Sequence, residues 1–209
     1  MKSKIFDFLM PSPKWTFHIK GRSDIIFVHI PKTAGTSIRF AFDFNKPNKK
    51  KGIRKHYTCK EVISLIGREK WDQSFKFTFI RDPWERLYSF YLFQLRKETV
   101  REKSFKLFVL EDIVPLLEKT NLTERPNIFP QTFWLADENE ELNFDFIGRF
   151  ENLDSDFDKL SKKISINTTL DHKNKSGNSK TYKGFYDKEM IELVNNYYRQ
   201  DIEAFGYSF

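Results

Sequence analysis

Cysteine and long apolar runs are nearly absent from this 209-residue chain. The single cysteine, Cys59, excludes an intrachain disulfide and leaves no cysteine partners at zinc-ligand spacing. No apolar stretch approaches the roughly 20 residues that a membrane-spanning helix needs. The N-terminal apolar segment, residues 5–10, is short and contains Asp7, so it does not predict a secretory signal. These absences predict a soluble, cytoplasmic protein of bacterial type, unless the chain is the trimmed luminal domain of an anchored protein.

Internal repeats and low-complexity segments are also absent, and the remaining composition is globular. A chain of 209 residues with 39% hydrophobic residues suits one domain, residues 1–209. The formal net charge of +7 favours anionic partners, and the densest basic patch is Lys49–Lys51, close to Arg54 and Lys55. Nucleic acid is not predicted as a partner, because aromatic and basic residues do not interleave in an RNA-binding motif.

Short apolar strands alternate with helical segments along the chain. We predict strands at residues 24–30, 75–80 and 144–150. We predict helices at residues 37–44, 60–68, 84–99, 111–119, 152–164 and 187–205. The polar stretch 169–183 is predicted to be a long functional loop. This alternation predicts an α/β fold with a largely parallel sheet, whose ligands bind beyond the carboxyl ends of the strands.

The first predicted strand runs into a tight loop that opens a helix, over residues 25–38 (IIFVHIPKTAGTSI). Such a loop directs free backbone N–H groups and the positive end of the helix dipole at one point. Gly35 lets the backbone approach an anion, Lys32 adds a positive charge, and Thr36 and Ser37 add hydroxyl donors. The pattern predicts a site for a phosphate-like group, with an ordinary strand-to-helix turn as the alternative. It is not a Walker A loop, so no metal is implied.

A second anion site is indicated after the second predicted strand, in residues 75–91 (FKFTFIRDPWERLYSFY). Arg81 ends the strand, and its guanidinium suits two-pronged contact with a phosphate, although an ordinary ion pair is equally compatible. Ser89 lies two turns into the following helix. Asp82 and Glu85 have the spacing of a capping box, which predicts that Glu85 has a local structural role.

The two motifs together, PKTAGTS and RDPxxRxxSxY, resemble the signature of sulfotransferases that use 3'-phosphoadenosine 5'-phosphosulfate (PAPS). The chain resembles the branch that holds heparan sulfate 2-O-sulfotransferases and small bacterial carbohydrate sulfotransferases. The resemblance runs from about residue 24 to the C-terminus, so that residues 1–23 form an extension outside it. It implies a three-layer, P-loop-like α/β fold and transfer of a sulfo group from PAPS to a hydroxyl of a polysaccharide, oligosaccharide or glycolipid, without a metal.

The resemblance also implies which residues bind the donor. The residues that match the loop holding the 5'-phosphosulfate are Lys32, Thr33, Ala34, Gly35, Thr36 and Ser37. Arg81 and Ser89 match the pair that holds the 3'-phosphate. The region 175–183 is a weaker match to the segment that closes over the nucleotide.

In-line sulfo transfer requires a base for the acceptor's proton and a cation for the leaving oxygen. The resemblance implies that His56 is the base and Lys32 the cation. His172 and Glu151 remain alternatives for the base. His29 is predicted to be a core histidine.

Two further hypotheses remain open. A P-loop-type ATP-dependent kinase shares the strand–loop–helix arrangement, but it does not explain Arg81 together with Ser89. A non-catalytic nucleotide-binding relative would have lost the chemistry, and the presence of Lys32 and His56 argues against it. Of the remaining residues near the motifs, His18 is predicted at the surface, Trp134 in the core and Gln131 as a possible ligand contact.

Overall fold

The computed structural model describes residues 16–47, 53–97, 99, 103–118, 127–171 and 179–209. The predicted basic patch Lys49–Lys51 and the alternative base His172 lie outside the described residues. The same holds for residues 175–178 of the predicted nucleotide-covering region.

A four-stranded sheet lies at the centre of the described part of the chain, with its strands in sequence order across the sheet. The strands are β1 (His18–Ile19), β2 (Arg22–Phe27), β3 (Phe75–Ile80) and β4 (Phe146–Arg149). Strand β1 is antiparallel to β2, whereas β2, β3 and β4 are mutually parallel. The carboxyl ends of the three parallel strands therefore meet at one edge of the sheet, which is where both predicted anion-binding motifs begin.

Helices occupy both sides of this sheet. They are α1 (Gly35–Ala41), α2 (Cys59–Ile66), α3 (Arg68–Gln73), α4 (Pro83–Arg96), α5 (Phe105–Phe108), α6 (Val114–Glu118), α7 (Gln131–Leu135), α8 (Leu153–Lys163), α9 (Lys188–Tyr197) and α10 (Arg199–Phe205). A π-helical turn, Val109–Ile113, joins α5 to α6. Two 3₁₀ segments, Phe150–Asn152 and Ser179–Phe185, precede α8 and α9.

Alternating side chains of the strands build a core on each face of the sheet. On one face, Phe27 and Phe77 stack with their ring centroids 4.8 Å apart, and they pack with Ile38 of α1 and Phe157 of α8. The opposite face carries Ile26 and Ile80, and it packs against α2, α3, α7 and α10 through Val62, Trp71, Trp134, Leu135 and Phe205. The predicted α/β fold, with helices covering a largely parallel sheet, is confirmed. Trp134 is a core residue, as predicted.

The helical segment around Pro115 begins earlier than predicted and is not uniformly α-helical. Pro115 has no N–H to donate to the carbonyl of Glu111, four residues before it. The π-helical turn Val109–Ile113 lies immediately ahead of this position, where the regular α-helical hydrogen-bond pattern is interrupted.

The C-terminal helix predicted over residues 187–205 is instead two helices, which meet at Tyr198. Tyr198 has φ −111° and ψ 22°, outside helical geometry. Its hydroxyl donates to the carbonyl of Ile128 at 2.7 Å, so a buried tertiary contact lies at the point where the two helices meet. The prediction for His18 was also wrong, since this residue of β1 is only 6% exposed. The predicted loop 169–183 contains the beginning of the 3₁₀ segment Ser179–Phe185.

Candidate active site

The loop between β2 and α1 has a backbone suited to an anion. Lys32 and Ala34 have positive φ angles of 72° and 63°, whereas Thr33 between them does not. Alternation of this kind turns successive N–H groups towards one concave side, as in the nests that bind phosphate groups. The N-terminus of α1 follows directly, at Gly35.

Gly35 is required by a close approach rather than by its backbone angle. A Cβ atom at this position would lie 1.9 Å from Nε2 of His29. The imidazole ring of His29 is buried against the loop, with 4% of the residue exposed. His29 is therefore a core histidine, as predicted, but it also forms the floor under the glycine.

Lys32 is half-buried and lies among other cations. Its Nζ atom is 4.4 Å from the centroid of the Phe93 ring. Burial, followed by the nearby cations Arg81, Arg96 and Lys55, lowers the pKa of Lys32 to about 8. Within the described ranges no carboxylate forms an ion pair with this ammonium group. An anionic ligand would complete the surroundings of Lys32.

The three hydroxyl groups of the loop have different environments. Thr33 is fully buried, and its Oγ1 donates to the carbonyl of Ile30 at 3.0 Å, so it stabilises the turn. Ser37 is buried in the first turn of α1. Thr36 is exposed, and its Oγ1 accepts a hydrogen bond from Nζ of Lys55 at 3.0 Å. Lys55, which lies next to the basic patch noted in the sequence, adds a second cation to the loop.

His56 is held beside the phosphate loop in one tautomer. Its Nδ1 lies 2.8 Å from the carbonyl oxygen of His29. Because a carbonyl only accepts, Nδ1 carries the proton and Nε2 keeps a free lone pair. Burial lowers the pKa of His56 to about 4, so that the ring is neutral at pH 7. The adjacent Lys55 contacts Thr36, so the structure brings the predicted base and the predicted phosphate loop together.

Arg81 connects the second motif to the first. Its Nη1 donates to the carbonyl of Lys32 at 3.2 Å, and its Nη2 forms an ion pair with Glu85 at 3.0 Å. The guanidinium stacks on Phe150, 3.7 Å from the ring centroid. The Nε atom is buried and has no hydrogen-bond partner among the described residues. The ion pair that the sequence offered for Arg81 is therefore present, and its contact with a phosphate stays a prediction.

Ser89 lies on α4, the helix that starts after Arg81, and it is 3% exposed. Within the described residues no hydrogen bond joins the Ser89 side chain to Arg81. The two residues of the second motif are therefore both buried, and no hydrogen bond between their side chains is present among the described residues.

Comparison with known proteins assigns the family. The model of the sulfotransferase family matches residues 15–208. The chain belongs to the sulfotransferase family. The match includes residues 15–23, which the motifs alone had left outside the resemblance. An uncharacterized protein of Archaeoglobus fulgidus is 32% identical over 110 residues, which are 53% of this chain and 83% of that protein. No solved structure matches.

The N-terminal cap of α4 differs from the capping box that the sequence predicted for Asp82 and Glu85. Asp82 caps α4 as predicted, since its Oδ1 accepts from the N–H of Glu85 at 2.8 Å. The side chain of Glu85 does not return to Asp82, because it neutralises the buried guanidinium of Arg81. Glu151 accepts from the N–H of Asp82 instead, at 2.5 Å. Glu151 therefore has a structural partner, which weakens the alternative that it is the base.

Gln131 and Asp201 support the candidate site from outside the two motifs. The side-chain amide of Gln131 bonds both the N–H and the carbonyl of Arg81, each at 2.8 Å. Asp201 accepts from the N–H groups of Gln131 and Thr132, at 2.7 and 2.8 Å. The side-chain amide of Gln131 therefore binds the backbone of Arg81, whereas the sequence suggested that it contacts a ligand. Its only signal in the sequence was its position in a stretch shared with the family.

Arg86 of the second motif forms a hydrogen bond with the backbone of the first. It is fully buried, and its Nε donates to the carbonyl of Pro31 at 3.1 Å. Its Nη2 donates to the carbonyls of Asn127 and Phe129 at 3.0 and 2.8 Å. Arg86 is thus a structural residue that fixes the start of the phosphate loop.

The described part of the chain contains no group of three or more histidine, cysteine or acidic side chains placed to hold a metal ion. In the same residues, no helix has the length and apolar character needed to cross a membrane.

Proposed function

We propose that this protein transfers a sulfo group from PAPS to a carbohydrate hydroxyl. The observation that carries the proposal is the position of His56, a neutral histidine with a defined tautomer beside the phosphate loop. A phosphate loop alone would support nucleotide binding. A loop with a general base next to it supports group transfer to a hydroxyl.

The fit of the donor is supported by features on both motifs. At the first, the nest-like loop, the exposed Thr36 and the cations Lys32 and Lys55 match a 5'-phosphosulfate group. At the second, the unused Nε donor of Arg81 matches the 3'-phosphate, with Ser89 as its companion. A second phosphate at this place separates PAPS from ATP.

The chemistry follows from the protonation states of the two main residues. Nε2 of His56 takes the proton of the acceptor hydroxyl while the acceptor oxygen forms a bond to sulfur. The bond between sulfur and the bridging phosphate oxygen breaks in line with this attack. The ammonium group of Lys32 stabilises the negative charge on the departing oxygen. The products are the sulfated acceptor and 3'-phosphoadenosine 5'-phosphate (PAP), and His56 then gives its proton to water.

The donor is tested by calorimetric titration with PAP, and with ATP·Mg²⁺ and AMP in parallel. We expect tight binding of PAP, and we expect Arg81→Lys, which keeps the charge but removes the Nε donor, to weaken it by about tenfold or more. Arg22→Lys is the matched control, because Arg22 forms an exposed pair with Asp24 on β2. Binding of ATP·Mg²⁺ alone would favour a kinase, and binding of neither nucleotide would indicate a scaffold without this function.

The acceptor class is tested with labelled PAPS and a panel of polysaccharides, oligosaccharides and glycolipids. We expect label in at least one carbohydrate, and its loss by about 10²–10⁴-fold in His56→Asn. Transfer to phenols or peptides in place of carbohydrates would contradict the proposed acceptor while preserving the proposed donor.

A further inference from the structure

The imidazole ring of His29 lies between the phosphate loop and His56. Its centroid is 4.2 Å from that of the His56 ring, and it stacks on Phe27 at 5.3 Å with an interplanar angle of 13°. The residue is 4% exposed, and its buried Nδ1 has no hydrogen-bond partner within the described ranges. A polar ring that is buried without using its polar atom is uncommon. Its shape and position are therefore the features that need an explanation.

On the loop side, the His29 ring occupies the space where a side chain of Gly35 would be. Nε2 and Cδ2 of His29 lie 1.9 and 2.0 Å from the position that a Cβ of Gly35 would take. The ring is therefore in close contact with the first residue of α1, and neither can move towards the other.

On the side of the proposed base, His29 contacts His56 through both its backbone and its ring. The backbone carbonyl of His29 accepts from Nδ1 of His56 at 2.8 Å, and the two rings are in contact. Two cations act on both rings: Lys55, which directly precedes His56 in the sequence, and Arg39 of α1. Burial is the main cause that lowers the pKa of His29 well below its ordinary value, and these cations act in the same direction, so the buried ring is neutral.

We propose that His29 is a positioning residue whose ring sets the spacing between the base His56 and the phosphate loop at Gly35. This inference rests on the proposed function, because it takes His56 as the base. Removing the ring leaves the backbone carbonyl in place but takes away the wall against which His56 rests. Rotation of His56 away from the acceptor then lowers kcat more than it weakens donor binding.

The first test observes His56 directly by NMR titration of the imidazole groups, which needs no acceptor. The chain has four histidines, so single variants assign each signal. In His29→Ala, the pKa of His56 should rise by about one unit or more towards its ordinary value, because the ring loses a buried neighbour. His18→Ala is the matched control, since His18 is also a buried histidine with an unpartnered nitrogen but lies on β1. An unchanged His56 titration in His29→Ala overturns the proposal.

The second test is a double-mutant cycle on kcat, measured with an acceptor found in the screen above. His29→Ala should lower kcat about tenfold or more when His56 is present, and by less than about twofold in the His56→Asn background. PAP affinity should change by about threefold or less, because the loop backbone binds the anion. Equal losses of kcat in both backgrounds would mean a general structural role and would overturn the proposal.

His29→Phe covers the case in which the alanine variant does not fold. It keeps an aromatic ring in the same place and should restore the His56 titration and most of kcat, whereas a phenylalanine variant that behaves like alanine contradicts the spacing role. The two proposals fail separately. Wild-type protein that binds PAP but sulfates no carbohydrate refutes the proposed acceptor, while the NMR titration still decides whether His29 positions His56.

Discussion

Substitution of Gly35 by alanine inserts a methyl group into the space of the His29 ring. The added Cβ would lie 1.9 Å from Nε2 of His29, well inside van der Waals contact. The ring cannot retreat freely, because Phe27 stacks on its other side and His56 contacts it as well. Either α1 moves away from the sheet or the ring tilts towards His56.

The expected loss of stability follows from two opposing terms. Overpacking a buried site costs about 1–3 kcal/mol. Alanine is favoured over glycine inside a helix by up to about 1 kcal/mol, and Gly35 is the first residue of α1, so this gain is partial. The net loss is about 1–2 kcal/mol, which for a domain of this size lowers Tm by about 2–8 °C.

Thermal unfolding of Gly35→Ala, compared with Gly184→Ala, measures this loss. A Cβ on Gly184 meets no atom within 4 Å, so the control should unfold within about 1 °C of the wild type. PAP titration of the same proteins should show binding weakened by about tenfold in Gly35→Ala only. A Gly35→Ala protein with unchanged Tm and unchanged PAP affinity would refute the close-packing argument. Restoration of Tm by an added His29→Ala would support it.

Three other predictions concern pH and the helix cap. The pKa of His56 is about 4 and that of Lys32 is about 8, so kcat/KM for the donor should be flat between these values. It should fall above about pH 8 as Lys32 loses its charge, and a profile that still rises there would exclude Lys32 as the cation. Burial also lowers the pKa of His18 from 6.5 to about 4, so its contribution to stability is complete above pH 6.5 and is lost as the pH falls towards 4. The loss reaches about 3 kcal/mol at most, and urea unfolding at pH 7 and pH 5 should show less acid sensitivity in His18→Phe than in the wild type. Glu151→Ala removes the acceptor for the N–H of Asp82 and should cost about 0.5–2 kcal/mol in urea unfolding. Its kcat should change by less than about threefold, and a loss of 10²-fold or more would instead identify Glu151 as the base.

Elements with local signals were predictable from the amino-acid sequence. The alternating apolar run Phe75–Ile80 matches β3, and Asp82 with Pro83 matches the start of α4. The turn from Lys32 to Ser37 was recognisable because the residues that shape a strand–loop–helix turn are neighbours in the sequence. Strand ends and helix interruptions were less accurate, because tertiary contacts such as that of Tyr198 decide them.

The contacts that join these elements depend on the tertiary fold. His56 donates to a carbonyl 27 residues away, Gln131 holds Arg81 across 50 residues, and Glu151 replaces Glu85 at Asp82 across 69 residues. No local pattern specifies such pairs, because each partner is selected by which strand ends meet at the same edge of the sheet. The contact between His29 and Gly35 is close in sequence, but it also depends on the turn of the loop back over β2, which brings an imidazole ring under the residue that has no side chain.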